Sequence, residues 1–266
     1  MSSALFVQSR RTSQRALVPK ESLVSLVARA SARARFADLG FADPTAEEQL
    51  ADLEGVTVEV CDAHLRATLL STIAIDGIVR DFFARNPSGI AVAFHPGLCS
   101  RFSRVDNGEL SWIDIDAPDI ARLQCATLRT PARHAIATTC PSCRLGWLDA
   151  VDTAGVPFLF VHQGAARAAE RFAAHFDGLV QRAPVGSEYV LDYDARLPLR
   201  PSRLGHDRAS LELAAPDGSV IRYPRAKVIT PESYPVSLRN EIEGLNGVSR
   251  FWRGVGVPSV AHIRFV

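Results

Sequence analysis

Ile90 to Ile120 reads IAVAFHPGLCSRFSRVDNGELSWIDIDAPDI. An apolar run, Ile90–Phe94, has the length and composition of a buried strand. It meets a tight turn at Gly97, a short helical stretch, and a second strand, Leu110–Ile115, that closes in acidic residues. Strand, glycine turn, helix and acid-tipped strand is the unit with which a doubly wound α/β domain seats a nucleotide-like ligand. The turn itself is His95-Pro96-Gly97. A ring and an imino acid stand where a loop that lets a ligand approach its backbone needs small residues.

Outward from this unit the same alternation continues. His134–Thr138, Phe158–Val161 and Glu188–Tyr193 read as further strands, with helical stretches between them, which predicts a parallel sheet covered on both faces. Upstream, Leu23, Val27, Ala30 and Ala34 recur at helical spacing. Asp43-Pro44 ends that run and starts another, with Thr45 as its expected N-cap and Glu48 three residues on. Thr57–Val60 fits strand or loop. His64–Arg85 is a long helical pattern stopped by Asn86-Pro87-Ser88-Gly89. Downstream, Leu211–Ala214, Asp217-Gly218 and Val220–Tyr223 predict a hairpin, and His262–Val266 a last strand. Residues 1–20 show no periodicity and are expected as a mobile arm. The rest reads as one domain: a helical cap over 21–86, a core sheet over 87–200 and a β extension over 201–266.

Composition narrows the function classes. The chain has 266 residues, 47% hydrophobic and 22% charged, with a formal net charge of +1. That suits a globular domain with a sizeable core and provides no bulk field to gather nucleic acid. Lys20 and Lys227 are the only lysines. No apolar run reaches the roughly 18 residues of a membrane helix, and residues 1–20 lack the apolar centre of a secretion signal. A cytoplasmic protein that acts on a small molecule, with no nucleic-acid or membrane partner, is the expectation; oligomeric state is left open. Five cysteines are expected as reduced thiols.

Several stretches, in order, resemble the leucine carboxyl methyltransferases, in particular the bacterial branch similar to tetracenomycin-type polyketide O-methyltransferases. ARASARARFADLGFADPTAEEQL is similar to that family's first helix and its DP-x-A turn, and STIAIDGIVRDFF to its RT…ID helix. FHPGLCSR resembles the loop LGAGLDTR, WIDIDAPDI the acidic second strand, GWLDAV the Trp-Leu helix, and PFLFVHQG the strand VLFVAEG. The resemblance implies an α/β class I methyltransferase-like fold: a Rossmann-like doubly wound sheet with a helical N-terminal cap and a C-terminal β extension. It also implies S-adenosylmethionine at the strand ends.

On this resemblance the cofactor contacts fall at Ser71, Gly97, Cys99, Arg101 and Asp116, with Asp116 at the ribose position. The chain departs from the family at most of them. Ser71 stands for the helix arginine, His95 for the first loop glycine, Cys99 for the loop aspartate and Gln163 for the strand glutamate. TTCPSC has no carboxylate where the third strand carries one. Losing the arginine alone removes a charge-assisted bond of about 1.5–3 kcal/mol.

His95, Asp116 and Gln163 are the candidate catalytic residues. All are expected at the carboxyl ends of neighbouring strands, with His95 as acid–base, Asp116 orienting it or binding ligand, and Gln163 donating a hydrogen bond. The competing reading makes His95 a plug in an abandoned cofactor site. Cys99 fits a nucleophile facing His95 or a small apolar substitute. Cys140 and Cys143 form a lone CxxC, and zinc requires more donors. Strand alternation turns His162 away from Gln163, so no metal is expected. His64, His175 and His206 read as surface or satisfied structural residues, and Arg33 or Arg35 could meet an anionic acceptor. Tyr189, Tyr193, Tyr223 and Trp252 fit an acceptor pocket or the core. Three functions remain: an enzyme of small-molecule, specialised metabolism repurposed to S-adenosylmethionine-independent chemistry; an S-adenosylmethionine-dependent O- or carboxyl methyltransferase with an altered site; or a non-catalytic partner protein.

Overall fold

The structure is a computed structural model, and it describes residues 4–138, 156–164, 169–193, 199–201, 210–214, 220–229, 239–240 and 259–266. Cys140, Cys143, His206 and Trp252, and the tip of the predicted 217–218 turn, lie outside the described residues.

The first element corrects an expectation. Residues 4–19 are not a loose arm: β1 (Ala4–Ser9) and β2 (Arg15–Pro19) form an antiparallel hairpin, extended on β1 by β3 (Leu53–Glu54). Two short period-two runs carry it. Val7, Ala16 and Val18 turn inward and are buried, while Ser9 Oγ donates to Asp52 at 2.7 Å and anchors the turn. The arginines and serines between the runs mask the alternation.

Helices α1 (Lys20–Arg35), α2 (Pro44–Asp52) and α3 (Asp62–Arg85) follow. Asp43, not Thr45, caps α2: its carboxylate accepts the Ala46 N–H at 3.0 Å. Pro44 already has the φ of a first helical residue, so the cap must precede it. Residues 57–60 form no strand.

The large sheet starts with β4 (Ile90–Phe94), then α4 (Arg101–Val105), β5 (Ser111–Asp116), α5 (Pro118–Thr127) and β6 (His134–Thr138). Next come β7 (Phe158–His162), α6 (Ala169–Arg182), β8 (Glu188–Tyr193), β9 (Leu199–Pro201), β10 (Ser210–Ala214), β11 (Val220–Val228) and β12 (Ser259–Phe265). Among the described residues its nine strands run in the order β6-β5-β4-β7-β8-β12-β11-β10-β9. The first five are parallel, and β12 pairs antiparallel with both β8 and β11. A last strand inserted antiparallel beside the fifth is the order of the class I methyltransferase fold.

Alternation along the strands divides the core. Val92, Phe94, Phe158 and Phe160 pack with Phe176 and Leu179 of α6 on one face. Ala91, Ala93, Leu159 and Val161 meet Ile75, Ile78, Val79 and Phe82 of α3 on the other. The chain steps from β4 outward to β6, then returns to β7 and continues the opposite way. The carboxyl ends of β4 and β7 therefore flank the switch point, where open α/β sheets take ligands. No described helix is long and apolar enough to cross a membrane.

Candidate functional site

At the switch point β4 runs into His95, whose φ is +49°. A ring-bearing residue in the left-handed region costs about 1–2 kcal/mol. Its N–H is held by the Ile115 carbonyl at 2.9 Å. Its side chain is 56% exposed, with Nδ1 3.8 Å from Asp116 Oδ1. That exposure is unlike a plug packed into apolar side chains.

Asp116 fastens the loop. One carboxylate oxygen accepts the Gly97 N–H at 2.8 Å and the other accepts the Ala117 N–H at 2.7 Å. On the far side of the crevice Asp192, from the end of β8, accepts the Gly164 N–H. Each glycine loop is thus fastened by an aspartate from the next strand outward. Gly97 itself has φ +63°, and a Cβ built there would lie 2.6 Å from Ser22 Oγ and 2.8 Å from Ser22 Cβ. The first turn of α1 occupies the space that the missing side chain leaves.

Arg101 is likewise committed. It is 3% exposed, and it donates to Asp76 at 2.6 Å and to Gln163 Oε1 at 2.7 Å. Gln163 in turn donates to Thr72 at 3.2 Å, so it faces α3 rather than His95. Asp76 also takes Arg104 at 2.7 Å, while Arg104 and Arg29 share Asp43 at 2.6 and 3.2 Å. Burial pushes the Asp76 carboxyl up, but Arg104 and Arg101 outweigh it and hold the group below its ordinary value. Burial lowers the Arg29 guanidinium. These groups tie α1, α2, α3, α4 and the end of β7 into one buried cluster. Cys99 is buried within this region. Ser71 is 1% exposed, and its hydroxyl has no partner.

The residues beside His95 are ones that sequence reasoning set aside. The His162 ring centroid lies 5.9 Å from that of His95. His162 bonds the Tyr189 hydroxyl through Nδ1 at 2.9 Å. His175 of α6, expected at the surface or satisfied, packs edge-on to Phe94 at 4.4 Å and lies 6.3 Å from His162. Its Nε2 is buried with no partner. Burial, then the charge of His95, push His162 down to about 3 and His175 down to about 4. Both are neutral imidazoles at ordinary pH. Of the other candidates, Arg33 and Arg35 pair with Glu47 and Asp62, Tyr223 is buried, and Asp114 joins Trp112 to His134 inside the sheet.

Among the described residues these positions depart from the S-adenosylmethionine contacts that the resemblance implies. The loop N–H is bonded to Asp116, the aspartate at the position the resemblance gives to ribose. The loop arginine is held by a buried carboxylate, and a serine stands where the carboxylate clamp belongs.

No protein-family model matches this sequence, and none of the curated proteins does. Solved structures are similar at low identity. The chain covers 93% of itself and 99% of the plantazolicin methyltransferase BpumL, with 9% identity and a TM-score of 0.42. For a DUF574 family protein from Streptomyces avermitilis the figures are 62% and 67%, with 14% identity and a TM-score of 0.40. For the glycopeptide N-methyltransferase MtfA they are 72% and 95%, with 15% identity and a TM-score of 0.35. The strand order, not these likenesses, carries the fold assignment. The chain has a class I methyltransferase-like fold.

Proposed function

We propose that this chain is a methyltransferase-fold enzyme of small-molecule metabolism that works without S-adenosylmethionine, with His95 as its acid–base group. The observation that carries the reading is the mutual bond between Gly97 N–H and Asp116. It takes up the loop N–H and part of the carboxylate's accepting capacity, both of which a nucleoside cofactor would draw on. His95 supports the catalytic half of the proposal. It is an exposed imidazole in a strained backbone conformation at the ligand-binding end of the sheet, and such outliers cluster at working sites. His162, bonded to the Tyr189 hydroxyl, stands behind the His95 ring at 5.9 Å. The internal pairing of the surrounding arginines and aspartates favours a second reading, a non-catalytic partner protein.

Calorimetric titration with S-adenosylmethionine tests the proposal. No heat of binding is expected at tens of micromolar ligand. A dissociation constant near micromolar, ~−8 kcal/mol, would overturn it and restore methyl transfer.

A further inference from the structure

Three imidazoles lie in a row along the edge of the crevice. His95 closes β4, His162 closes β7, and His175 comes from α6, with centroid spacings of 5.9 and 6.3 Å. Phe94 fills the angle between them, 6.2 Å from His162 and 4.4 Å from His175. His162 is 5% exposed, and the His175 Nε2 is buried without a partner.

The groups that face this row are few among the described residues. The loop contributes His95, and β5 contributes Asp116, whose oxygens serve the Gly97 and Ala117 N–H groups. From β8 come the Tyr189 hydroxyl, bonded to His162, and Asp192, bonded to Gly164. On α6 itself Asp177 faces Tyr223 of β11. On α6, His175 Nε2 has no hydrogen-bond partner. A proton on His162, or on the buried Nε2 of His175, would be a poorly solvated charge about 6 Å from another imidazole, and the cost of such a charge is relieved by letting water in.

We infer that the His95–His162–His175 row is an acid-sensitive latch that releases α6 from the sheet and opens that side of the crevice when the buried rings take up protons. In the closed form Phe176, Leu179 and Val180 hold α6 against the sheet, and His175 is the polar weak point in that contact. Linkage sets the sign. A histidine whose closed-state value is depressed stabilises the closed state fully above its ordinary value and loses that stability as pH falls through it. With His175 at about 4 when closed and about 6.5 when open, the opening constant rises roughly thirtyfold between neutral pH and about pH 5.

Hydrogen exchange read by mass spectrometry on the whole chain tests this, with rates corrected for intrinsic pH dependence. Amides of Phe176–Ala183 are expected to lose roughly thirtyfold protection at about pH 5 relative to about pH 7.5, while amides of Leu69–Phe83 in α3 keep theirs. In His175→Phe, which keeps a ring against Phe94, the α6 loss is expected to shrink by about the same factor. Unchanged α6 protection at the lower pH would overturn the inference. So would equal loss in α3, which marks global unfolding, or equal α6 loss in the variant.

Discussion

Gly97→Ala tests what the loop glycine is for. Two costs follow from the structure. The added methyl group forces a φ of +63° on an L side chain, worth about 1–2 kcal/mol. It also meets Ser22 Oγ at 2.6 Å and Cβ at 2.8 Å, an overpacking of about 1–3 kcal/mol. The single variant should therefore lose about 2–5 kcal/mol in urea unfolding followed by helical circular dichroism. Ser22→Gly removes both close atoms and leaves Ser22 Cα at 3.8 Å, an ordinary contact. Glycine at the start of α1 carries its own cost of up to about 1 kcal/mol, so a complete double-mutant cycle is needed. The double variant should recover the steric part and keep the backbone part, giving a coupling of about 1–3 kcal/mol. A coupling below about 0.5 kcal/mol would refute the claim that this glycine exists to seat α1.

Two further outcomes follow from the buried charges. Asp76→Asn leaves Arg101 and Arg104 without their shared carboxylate, and a loss of about 3–5 kcal/mol is expected in the same urea assay; under about 1 kcal/mol would show that Gln163 and Asp43 suffice. Burial pushes the Glu188 carboxyl up, but hydrogen bonds from His262, Arg85 and Arg264 outweigh it and hold the group well below the ordinary carboxyl range. Its contribution is therefore complete above about pH 4.3 and is lost as pH falls further. Glu188→Gln should be markedly less stable than the parent at neutral pH, and the gap should begin to narrow as pH falls below about 4.3; a gap independent of pH down to about pH 2.5 would refute the assignment.

How much could be read beforehand depended on distance along the chain. The strands β4 to β8 were legible because a parallel sheet buried on both faces demands continuous apolar runs, such as Phe158–Val161. The hairpin β1–β2 was not, because its two short runs of alternation are separated by Arg10-Arg11-Thr12-Ser13. Strand alternation correctly sent His162 and Gln163 to opposite faces: Gln163 reaches Thr72 and Arg101, His162 reaches Tyr189. It could not say on which side His95 falls, since a left-handed residue leaves the strand's period. Asp43 and Arg104 meet across 61 positions, and no local pattern announces such a pair. The same holds for His175, whose helical spacing alone did not mark it as facing Phe94.

The cluster around Asp76 also constrains how this protein could change. Suppose the residues of the methyltransferase family that the sequence resembles were introduced one at a time. Ser71→Arg would add a guanidinium on α3 close to a cluster that already contains Arg101 and Arg104. His95→Gly would relax the turn but leave Asp116 bonded to Gly97. Neither step releases Arg101 from Asp76. Effects at such mutually bonded positions do not add, so each single replacement is expected to be neutral or harmful until several are made together. The pairing of buried charges thus acts as an interlock: groups that bind each other have to be exchanged together.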